Sequence, residues 1–397
     1  MDSHIISKSG QAPVARAEIV PRILAGEIVV LPRALDVFGV RAQIAQLTLK
    51  TIEDQCGVAP AAEVERAGFE KIHNVLNGEQ IERLYAGVRH RLVPNMPPVI
   101  KAIGEHLMGL EAPFYINSNC VVRFFVPHSH LQASYATFKQ HLGKLDLHGP
   151  HHDIYQDVAL NAINLWMAVG EVEKENGLGI FTDVWGRTLP QGVSHVRDDQ
   201  YLGEPLLLEC APGDVVLFHA HHMHASILNS TDRTRYVVTS RLTLEPPVHP
   251  NPERRFQYLR SDLVGTVPLH EATTSEGRDA TPEELADHAP DEDDVGSPVS
   301  VAATPEALGE GEIMALDEKT CVARVDGALH AFARRCTHQG ADMSLGYVKE
   351  GQVHCPWHNV SFDPASGTSR CAALKPLKTQ DLPADLSPCR RSQTANL

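Results

Sequence analysis

The sequence predicts a mainly β protein with flanking helices, arranged as a sandwich or jelly roll. Short runs of strand-forming residues recur along the first two thirds of the chain: Val121–Val126, Leu165–Val169, Val215–Phe218 and Arg235–Leu242. Turn signals such as Pro212-Gly213-Asp214 separate them, without the regular strand–helix alternation of a parallel sheet. Residues 41–110 instead show helical spacing of apolar residues, which predicts helices covering one side of the core.

Taken in order, the chain begins with a mixed segment in which Ile28–Leu31 predicts a short strand ended by Pro32. The helical region follows, and Phe114–Ile116 then opens the series of strands. A length of 397 residues predicts two or three domains.

An acidic segment separates two candidate domains. Residues 271–300 hold ten carboxylates against the single Arg278, and they are rich in Thr, Ser, Pro and Gly. This composition is typical of a solvated, flexible linker. We therefore predict a first domain at 1–268, a linker at 269–298 and a second domain at 299–397.

The net charge of −15 argues against nucleic-acid binding, although the linker carries much of it. No apolar run approaches a transmembrane length, and Met1–Ile6 lacks the pattern of a secretory signal. The eight cysteines show no disulfide framework. These features predict a cytoplasmic protein that binds neither membrane nor nucleic acid.

Two pairs of metal-binding residues lie in the second domain. Cys336-Thr337-His338 is followed, sixteen residues later, by Cys355-Pro356-Trp357-His358. Two thiolates and two imidazoles are the ligands of a Rieske [2Fe–2S] cluster. Zinc could use the same atoms, but zinc fingers favour wider spacing than Cys-x-His.

The residues around these pairs resemble the Rieske ferredoxin family over about 299–385. Within the similar region, Asp326-Gly327 lies between two alternating apolar runs and strongly predicts a hairpin turn. Gly340, Phe362-Asp363 and Gly367 are further residues on which the resemblance rests. The resemblance implies a small all-β domain whose cluster is held by Cys336, His338, Cys355 and His358.

The same resemblance indicates the subtype. Respiratory Rieske proteins carry an extra disulfide, and Ala341 and Trp357 occupy the matching positions here. Val360 and Phe362 stand where those proteins aim a serine and a tyrosine hydroxyl at the cluster. Fewer hydrogen-bond donors lower the reduction potential, so a soluble, ferredoxin-type electron carrier is predicted.

A second metal constellation lies in the first domain. His151-x-Asp153 and the distant His224 supply two imidazoles and one carboxylate, the facial triad of non-haem Fe(II) oxygenases. On a strand, residues i and i+2 point the same way, which delivers both side chains of the H-x-D pair to one spot. The crowding of histidines leaves alternatives: His152 for His151, and His219, His221 or His222 for His224.

The segment Phe218–Ser226, with Asn229 and Arg235 downstream, resembles the phytanoyl-CoA dioxygenase family, as does the stretch from Trp166 to Leu178. The resemblance covers about 20–265 and implies a double-stranded β-helix (a cupin-like jelly roll) that uses Fe(II), 2-oxoglutarate and O2. It assigns His151, Asp153 and His224 to iron, and Arg235, Ser226 and Trp166 to the 2-oxoglutarate site.

Two features refine the expected reaction. Related halogenases replace the carboxylate ligand by a small residue, so Asp153 favours hydroxylation, desaturation, ring closure or alcohol oxidation. After Gly177 the chain reads Ile180–Gly186 instead of the family's usual Pro-Gly-Ser-His turn, a region that often borders the substrate.

The sequence thus predicts a 2-oxoglutarate dioxygenase that oxidises a small-molecule C–H bond, fused to a Rieske ferredoxin. Arginine outnumbers lysine, and alanine and proline are frequent, which suggests a bacterial source with a high-GC genome. Members of the similar family from such sources often tailor natural products, so the resemblance implies a role in natural-product biosynthesis. The Rieske domain is hypothesised to keep the iron ferrous, with electrons from an NAD(P)H-dependent ferredoxin reductase. The alternatives are a Rieske non-haem oxygenase driven by NAD(P)H, which has the opposite domain order, and a non-enzymatic electron-transfer protein.

Overall fold

The computed structural model describes residues 3–131, 149–192, 195–289 and 304–382. The chain forms two compact units. The first comprises Met1–Arg197 and Pro205–Asp293, and the second comprises Asp198–Glu204 and Asp294–Leu397.

A layer of helices covers one side of the first unit, as predicted for residues 41–110. The α-helices are α1 (Ile19–Leu24), α2 (Ala34–Val37), α3 (Val40–Cys56), α4 (Val58–Ala67), α5 (Ile72–Val75), α6 (Gly78–Leu92), α7 (Met96–Ala102) and, near the end of the unit, α8 (Pro282–Asp287). Helix α6 begins with a capping box, in which Asn77 and Gln80 exchange side-chain and backbone hydrogen bonds. Its buried face, which includes Ile81, Leu84 and Val88, packs into the main core.

The strands of the first unit form two facing sheets. They are β1 (His4–Ser7), β2 (Gly10–Pro13), β3 (Ile28–Leu31), β4 (Tyr115–Asn117), β5 (Val121–Phe125), β6 (Ala162–Ala168), β7 (Leu178–Ile180), β8 (Leu206–Leu207), β9 (Val215–His219), β10 (His224–Ser226), β11 (Arg235–Thr243), β12 (Val248–His249), β13 (Tyr258–Arg260), β14 (Thr273–Thr274) and β15 (Arg278–Asp279). The large sheet has the order β14-β13-β4-β11-β6-β9-β3-β1-β2, and β5 also pairs with β11. The small sheet is β10-β7-β8, and β12 pairs with β15.

The large sheet has one face toward the helices and the other toward the small sheet. Along β11, Tyr236, Val238 and Leu242 join the core beneath the helices. Val237 instead packs with Trp166 and with the small-sheet residues Leu178 and Ile180. All seven residues of β6 are buried, because this central strand is covered on both faces. The predicted jelly roll with flanking helices is confirmed.

The acidic segment departs in part from the predicted linker. Strand β14 pairs with β13, β15 pairs with β12, and Ala272 is buried in the main core. Glu276 accepts a hydrogen bond from Tyr115 and pairs with Arg260 at 2.6 Å. Strand pairing and side-chain contacts therefore hold residues 269–289 in place, although their polar composition predicted a flexible linker. Residues 290–298 of the predicted linker lie outside the described residues.

The second unit is a small all-β domain. Its strands are β16 (Ile313–Ala315), β17 (Thr320–Val325), β18 (Ala328–Ala333), β19 (Tyr347–Lys349), β20 (Gln352–His354), β21 (Ser361–Phe362) and β22 (Thr379–Gln380). They form the sheets β16-β17-β18-β22 and β19-β20-β21. Asp326 and Gly327, with φ angles of 51° and 77°, make the predicted two-residue turn between β17 and β18.

Among the helices that the structure describes, none combines the length and the apolar character that crossing a membrane requires.

Candidate active site and metal centres

Backbone pairing brings the first three candidate ligands together inside the jelly roll. His151 and His224 exchange backbone hydrogen bonds of 3.0 and 3.1 Å, so their rings lie side by side with centroids 4.4 Å apart. Extended backbone at His152 brings Asp153 to the same place, where a short 3-10 helix begins. One ligand atom from each of His151, Asp153 and His224 lies within 4.8 Å of the other two.

The two imidazoles are oriented for metal binding. Nδ1 of His151 is 2.8 Å from the carbonyl oxygen of Gly149, and Nδ1 of His224 is 2.9 Å from that of His222. A carbonyl oxygen can only accept a hydrogen bond, so Nδ1 is the donor in each ring. In the neutral imidazole, Nε2 then carries the lone pair that can bind a metal. Such outer hydrogen bonds fix the tautomer and the ring plane of histidine ligands.

The carboxylate of Asp153 is held by two residues of the inward sheet face. Asn164 donates from Nδ2 to Oδ2 at 2.8 Å, and Arg241 donates to Oδ1 at 2.9 Å. Burial, the largest single influence, would raise the pKa of Asp153, but the charge and hydrogen bond of Arg241, together with the neighbouring His224 and His151, outweigh it and hold the pKa well below its usual range. The group is therefore an anion, as a metal ligand must be.

The neighbouring histidines have other partners. His152 contacts the carbonyl of His221 through Nδ1 at 2.8 Å and accepts from the Leu189 N–H at 3.4 Å. His222 contacts two backbone carbonyls, and His221 contacts the Thr188 hydroxyl at 2.7 Å. Burial lowers the pKa of His221 and of His222 to about 4. These rings are neutral hydrogen-bonding groups around the three candidate ligands.

Arg235 lies at the start of β11 and is fully buried. One of its terminal nitrogens donates to the carbonyls of Asn176, at 2.7 Å, and Gly177. Its guanidinium carbon lies 4.5 Å from the ring centroid of Phe125 and 5.6 Å from that of Trp166. It forms no ion pair with a carboxylate anywhere in the described ranges, and burial lowers its pKa to about 9.

Arg235 is therefore suited to bind an anion. An isolated buried guanidinium is costly, and its Nε has no hydrogen-bond acceptor among the described residues. The planar guanidinium fork matches the geometry of a carboxylate. Trp166 lies beside Arg235. Ser226 lies two residues after His224 on β10, so its hydroxyl is on the same side of the strand as that candidate ligand.

In the second unit, two loops bring the other four predicted ligands together. The thiols of Cys336 and Cys355 are within hydrogen-bonding contact, and backbone N–H groups of His338 and Gln339 point at the Cys336 sulfur. The rings of His338 and His358 have centroids 5.0 Å apart. Two sulfurs on one side and two imidazoles on the other fit a [2Fe–2S] cluster with mixed ligands.

The motifs did not reveal three polar residues near the candidate ligands, Arg241, Asn164 and Arg123. Each lies on the inward face of the large sheet, and Asn164 and Arg123 lie on strands that are otherwise apolar. Alternate residues of a strand face the same side. Arg241 is six residues after Arg235 on β11, and Asn164 is two residues before Trp166 on β6, so this periodicity could have placed both on the face of those candidate site residues.

The fold and the two ligand sets define a jelly-roll protein with a two-histidine, one-carboxylate metal site and an attached iron–sulfur domain. The chain belongs to the phytanoyl-CoA dioxygenase (PhyH) family, whose profile matches residues 37–237, just over half of its length. The Rieske [2Fe–2S] domain profile matches residues 299–381. Fe(II), 2-oxoglutarate and a [2Fe–2S] cluster are the groups that these two families use.

Individual relatives match the second unit. The ferredoxin component of the naphthalene 1,2-dioxygenase/salicylate 5-hydroxylase systems of Ralstonia sp. is 30% identical over 82 residues, which are 20% of this chain and 79% of the ferredoxin. Apoptosis-inducing factor 3 of Mus musculus is 35% identical over 49 residues, 12% of this chain, and the chain spans only 8% of its length.

A solved structure is similar to the first unit. The α-ketoglutarate-dependent epimerase SnoN from nogalamycin biosynthesis is 17% identical, with 57% of this chain and 82% of SnoN covered and a TM-score of 0.31. Likeness at this level does not bear on the substrate.

Proposed function

We propose that the chain is an Fe(II)- and 2-oxoglutarate-dependent dioxygenase that oxidises a C–H bond of a small molecule. His151, Asp153 and His224 would hold the metal, and Arg235 would hold the distal carboxylate of 2-oxoglutarate. The observation that carries the proposal is Arg235, a fully buried guanidinium without a carboxylate partner among the described residues, on the sheet that also holds Asp153 in place.

When bound, the iron would supply redox chemistry toward dioxygen, and the protein's own residues supply position and charge. Hydrogen bonds of Nδ1 to backbone carbonyls would leave the Nε2 atoms of His151 and His224 as the atoms that hold the metal. Arg241 and Asn164 fix the carboxylate of Asp153 and keep it ionised. Arg235 and Trp166 would orient 2-oxoglutarate from its far end.

The retained carboxylate favours oxygen insertion, desaturation, ring closure or alcohol oxidation over halogenation. Halogenation at such a site needs a free coordination position where this chain carries Asp153. The ion pair with Arg241 holds the carboxylate of Asp153 in place, where it would serve as a metal ligand.

Succinate formation tests the proposal. The protein, purified without oxygen, would be given Fe(II), 2-oxoglutarate and then air, with no NAD(P)H or reductase. We expect slow succinate release even without the primary substrate. Oxygen consumption that required NAD(P)H and a reductase and ignored 2-oxoglutarate would instead identify a Rieske non-haem oxygenase.

The role proposed for the Rieske domain follows from counting electrons. Dioxygen takes up four, of which two come from 2-oxoglutarate and two from the substrate, so productive turnover needs no ferredoxin. We propose that the domain returns ferric iron, formed in unproductive cycles, to the ferrous state. Its electrons would come from a reductase that oxidises NAD(P)H.

The cluster itself gives a direct prediction. Cys355→Ser should abolish the visible absorption and the low-temperature EPR signal of a Rieske cluster, because the cluster loses one of its two thiolate ligands. Cys371→Ser, at another buried cysteine of the same unit, is the matched control and should keep both signals. Retention of the signals in Cys355→Ser would contradict the ligand assignment.

The same variant separates electron supply from catalysis. With a ferredoxin reductase and NAD(P)H present, we expect succinate formation by the wild-type protein to persist for several times longer than that by Cys355→Ser. Initial rates should be similar, because the first turnovers start from ferrous iron. Superimposable progress curves would show that the cluster does not protect the iron.

A further inference from the structure

An arginine that the proposed function leaves unused lies on the inward face of the large sheet. Arg123 on β5 stands directly opposite Val237 on β11 in the antiparallel register, and Phe125 stands opposite Arg235. Paired residues of an antiparallel ladder share a face. Because Val237 packs between the two sheets, Arg123 shares the interior side with Arg235 and Arg241.

Arg123 has no partner among the described residues that neutralises its charge. It makes neither a hydrogen bond nor an ion pair with the residues described, and its surroundings lower its pKa chiefly by desolvation. The ionisable groups that act on it are Tyr85, Arg241 and Asp153. Asp153 is already paired with Arg241 at 2.9 Å, so it offers Arg123 only a distant attraction.

The charges on this face are therefore unbalanced. Arg123, Arg235 and Arg241 bring three guanidiniums, and among the described residues Asp153 is the carboxylate that faces them. A divalent metal at the three ligands would add two more positive charges. One carboxylate on Arg235 leaves Arg123 still unpaired, and an unpaired charge away from bulk water is costly.

Three inward residues are less completely buried than their neighbours. Arg123, Thr239 and Arg241 are only partly buried, whereas Tyr236, Val238 and Ser240 on the other face of β11 are buried beneath the helices. Side chains therefore pack less closely around Arg123 than on the helix side of the sheet.

We infer that Arg123 binds a second carboxylate, next to the metal site and separate from the one on Arg235. The inference rests on the proposed function and deepens it. The carboxylate has two possible sources with the same chemistry, the C1 carboxylate of 2-oxoglutarate or a carboxylate carried by the primary substrate. In either case a planar guanidinium would receive it through paired hydrogen bonds.

The test uses the full-length protein without oxygen, with Mn(II) in place of Fe(II), and titration calorimetry as readout. 2-Oxoglutarate is titrated into wild-type protein, Arg123→Met, Arg123→Lys and Arg83→Met. Arg83→Met is the matched control, because it removes an exposed arginine of α6. A second arm titrates benzoate into each protein saturated with 2-oxoglutarate. Melting temperatures and the Rieske absorption report folding.

If the C1 carboxylate is the ligand, Arg123→Met should weaken 2-oxoglutarate binding by at least about 10-fold, the effect of losing a charged hydrogen bond. Arg123→Lys should lose less. If the substrate supplies the carboxylate, 2-oxoglutarate should bind normally, and benzoate should bind wild-type protein but not Arg123→Met.

Equal 2-oxoglutarate affinity in wild type and Arg123→Met, together with no benzoate binding that depends on Arg123, would overturn the inference. A wild-type protein that binds no 2-oxoglutarate would overturn the proposed function itself. The two failures are therefore distinguishable.

Discussion

Asp153→Ala is expected to remove the mononuclear iron and to stop succinate formation. The remaining two imidazoles cannot hold Fe(II) firmly, and the charge that balances Arg241 is lost with the ligand. Loss of an outer partner of a metal ligand already costs about 10–100-fold, so loss of the ligand should lower the rate by more than about 100-fold. Succinate release and iron content measure the two effects.

Iron analysis makes this prediction specific. A chain with both centres holds about three iron atoms, two of them in the cluster, and the variant should hold about two with an unchanged Rieske spectrum. Asp183→Ala, which removes an exposed carboxylate that pairs with Lys8, should behave as wild type. Full iron content and turnover in Asp153→Ala would refute the assignment of Asp153 as a ligand.

Stability is a second consequence of the same change. Removing one partner of a buried ion pair leaves the other uncompensated, which costs about 3–5 kcal/mol in fully buried pairs and less here because Arg241 is partly exposed. The double variant Asp153→Ala/Arg241→Met should therefore melt higher than Asp153→Ala while remaining unable to form succinate. This combination separates a folding defect from loss of the metal.

Local sequence patterns could pick out candidate ligands because the chemistry of each set is carried by short segments. Cys336 and His338, like Cys355 and His358, are close enough in sequence for one loop to present both. The choice of His224 among four nearby histidines was harder. It is explained by the backbone pairing of His224 with His151, while His221 and His222 are engaged with Thr188 and with backbone carbonyls.

The other features of the site and of the fold depend on pairing between strands that are far apart in the sequence, and the periodicity of a single segment does not show which strands pair. Arg123 and Arg241 come near one another only because β5 and β11 are neighbours in the sheet, 118 positions apart in the chain. The order along residues 269–289 has the same origin. Short strands and an acidic helix look like a linker in composition, but pairing with β12 and β13, burial of Ala272 and the contacts of Glu276 hold them in place.

Arg235→Met is expected to abolish 2-oxoglutarate binding with little effect on the ligand-free protein. The wild-type guanidinium is buried without a carboxylate partner in the described parts of the chain, and burial lowers its pKa to about 9. Below that pH it is charged in both folded and unfolded states, so its cost to folding is fully present at neutral pH and is relieved only as pH rises above about 9. The 2-oxoglutarate carboxylate would remove this cost on binding.

The two effects of the substitution on folding oppose one another. Methionine relieves a buried charge, worth several kcal/mol, but it loses hydrogen bonds to the carbonyls of Asn176 and Gly177, at about 1.5–3 kcal/mol each. We therefore expect the melting temperature without ligand to stay within a few degrees of wild type. The increase that 2-oxoglutarate and Mn(II) cause in wild type should disappear, and calorimetry should show at least about 100-fold weaker binding, or about 2.7 kcal/mol.

Arg89→Met is the matched control, since Arg89 also donates to a backbone carbonyl, that of Cys120, but from α6. It should keep the thermal shift. Arg235→Lys should recover part of it, because an ammonium preserves the charge without the planar fork. Unchanged 2-oxoglutarate affinity in Arg235→Met would remove the observation on which the proposed function rests, and the 2-oxoglutarate carboxylate would then have to be sought at Arg123 or Arg241.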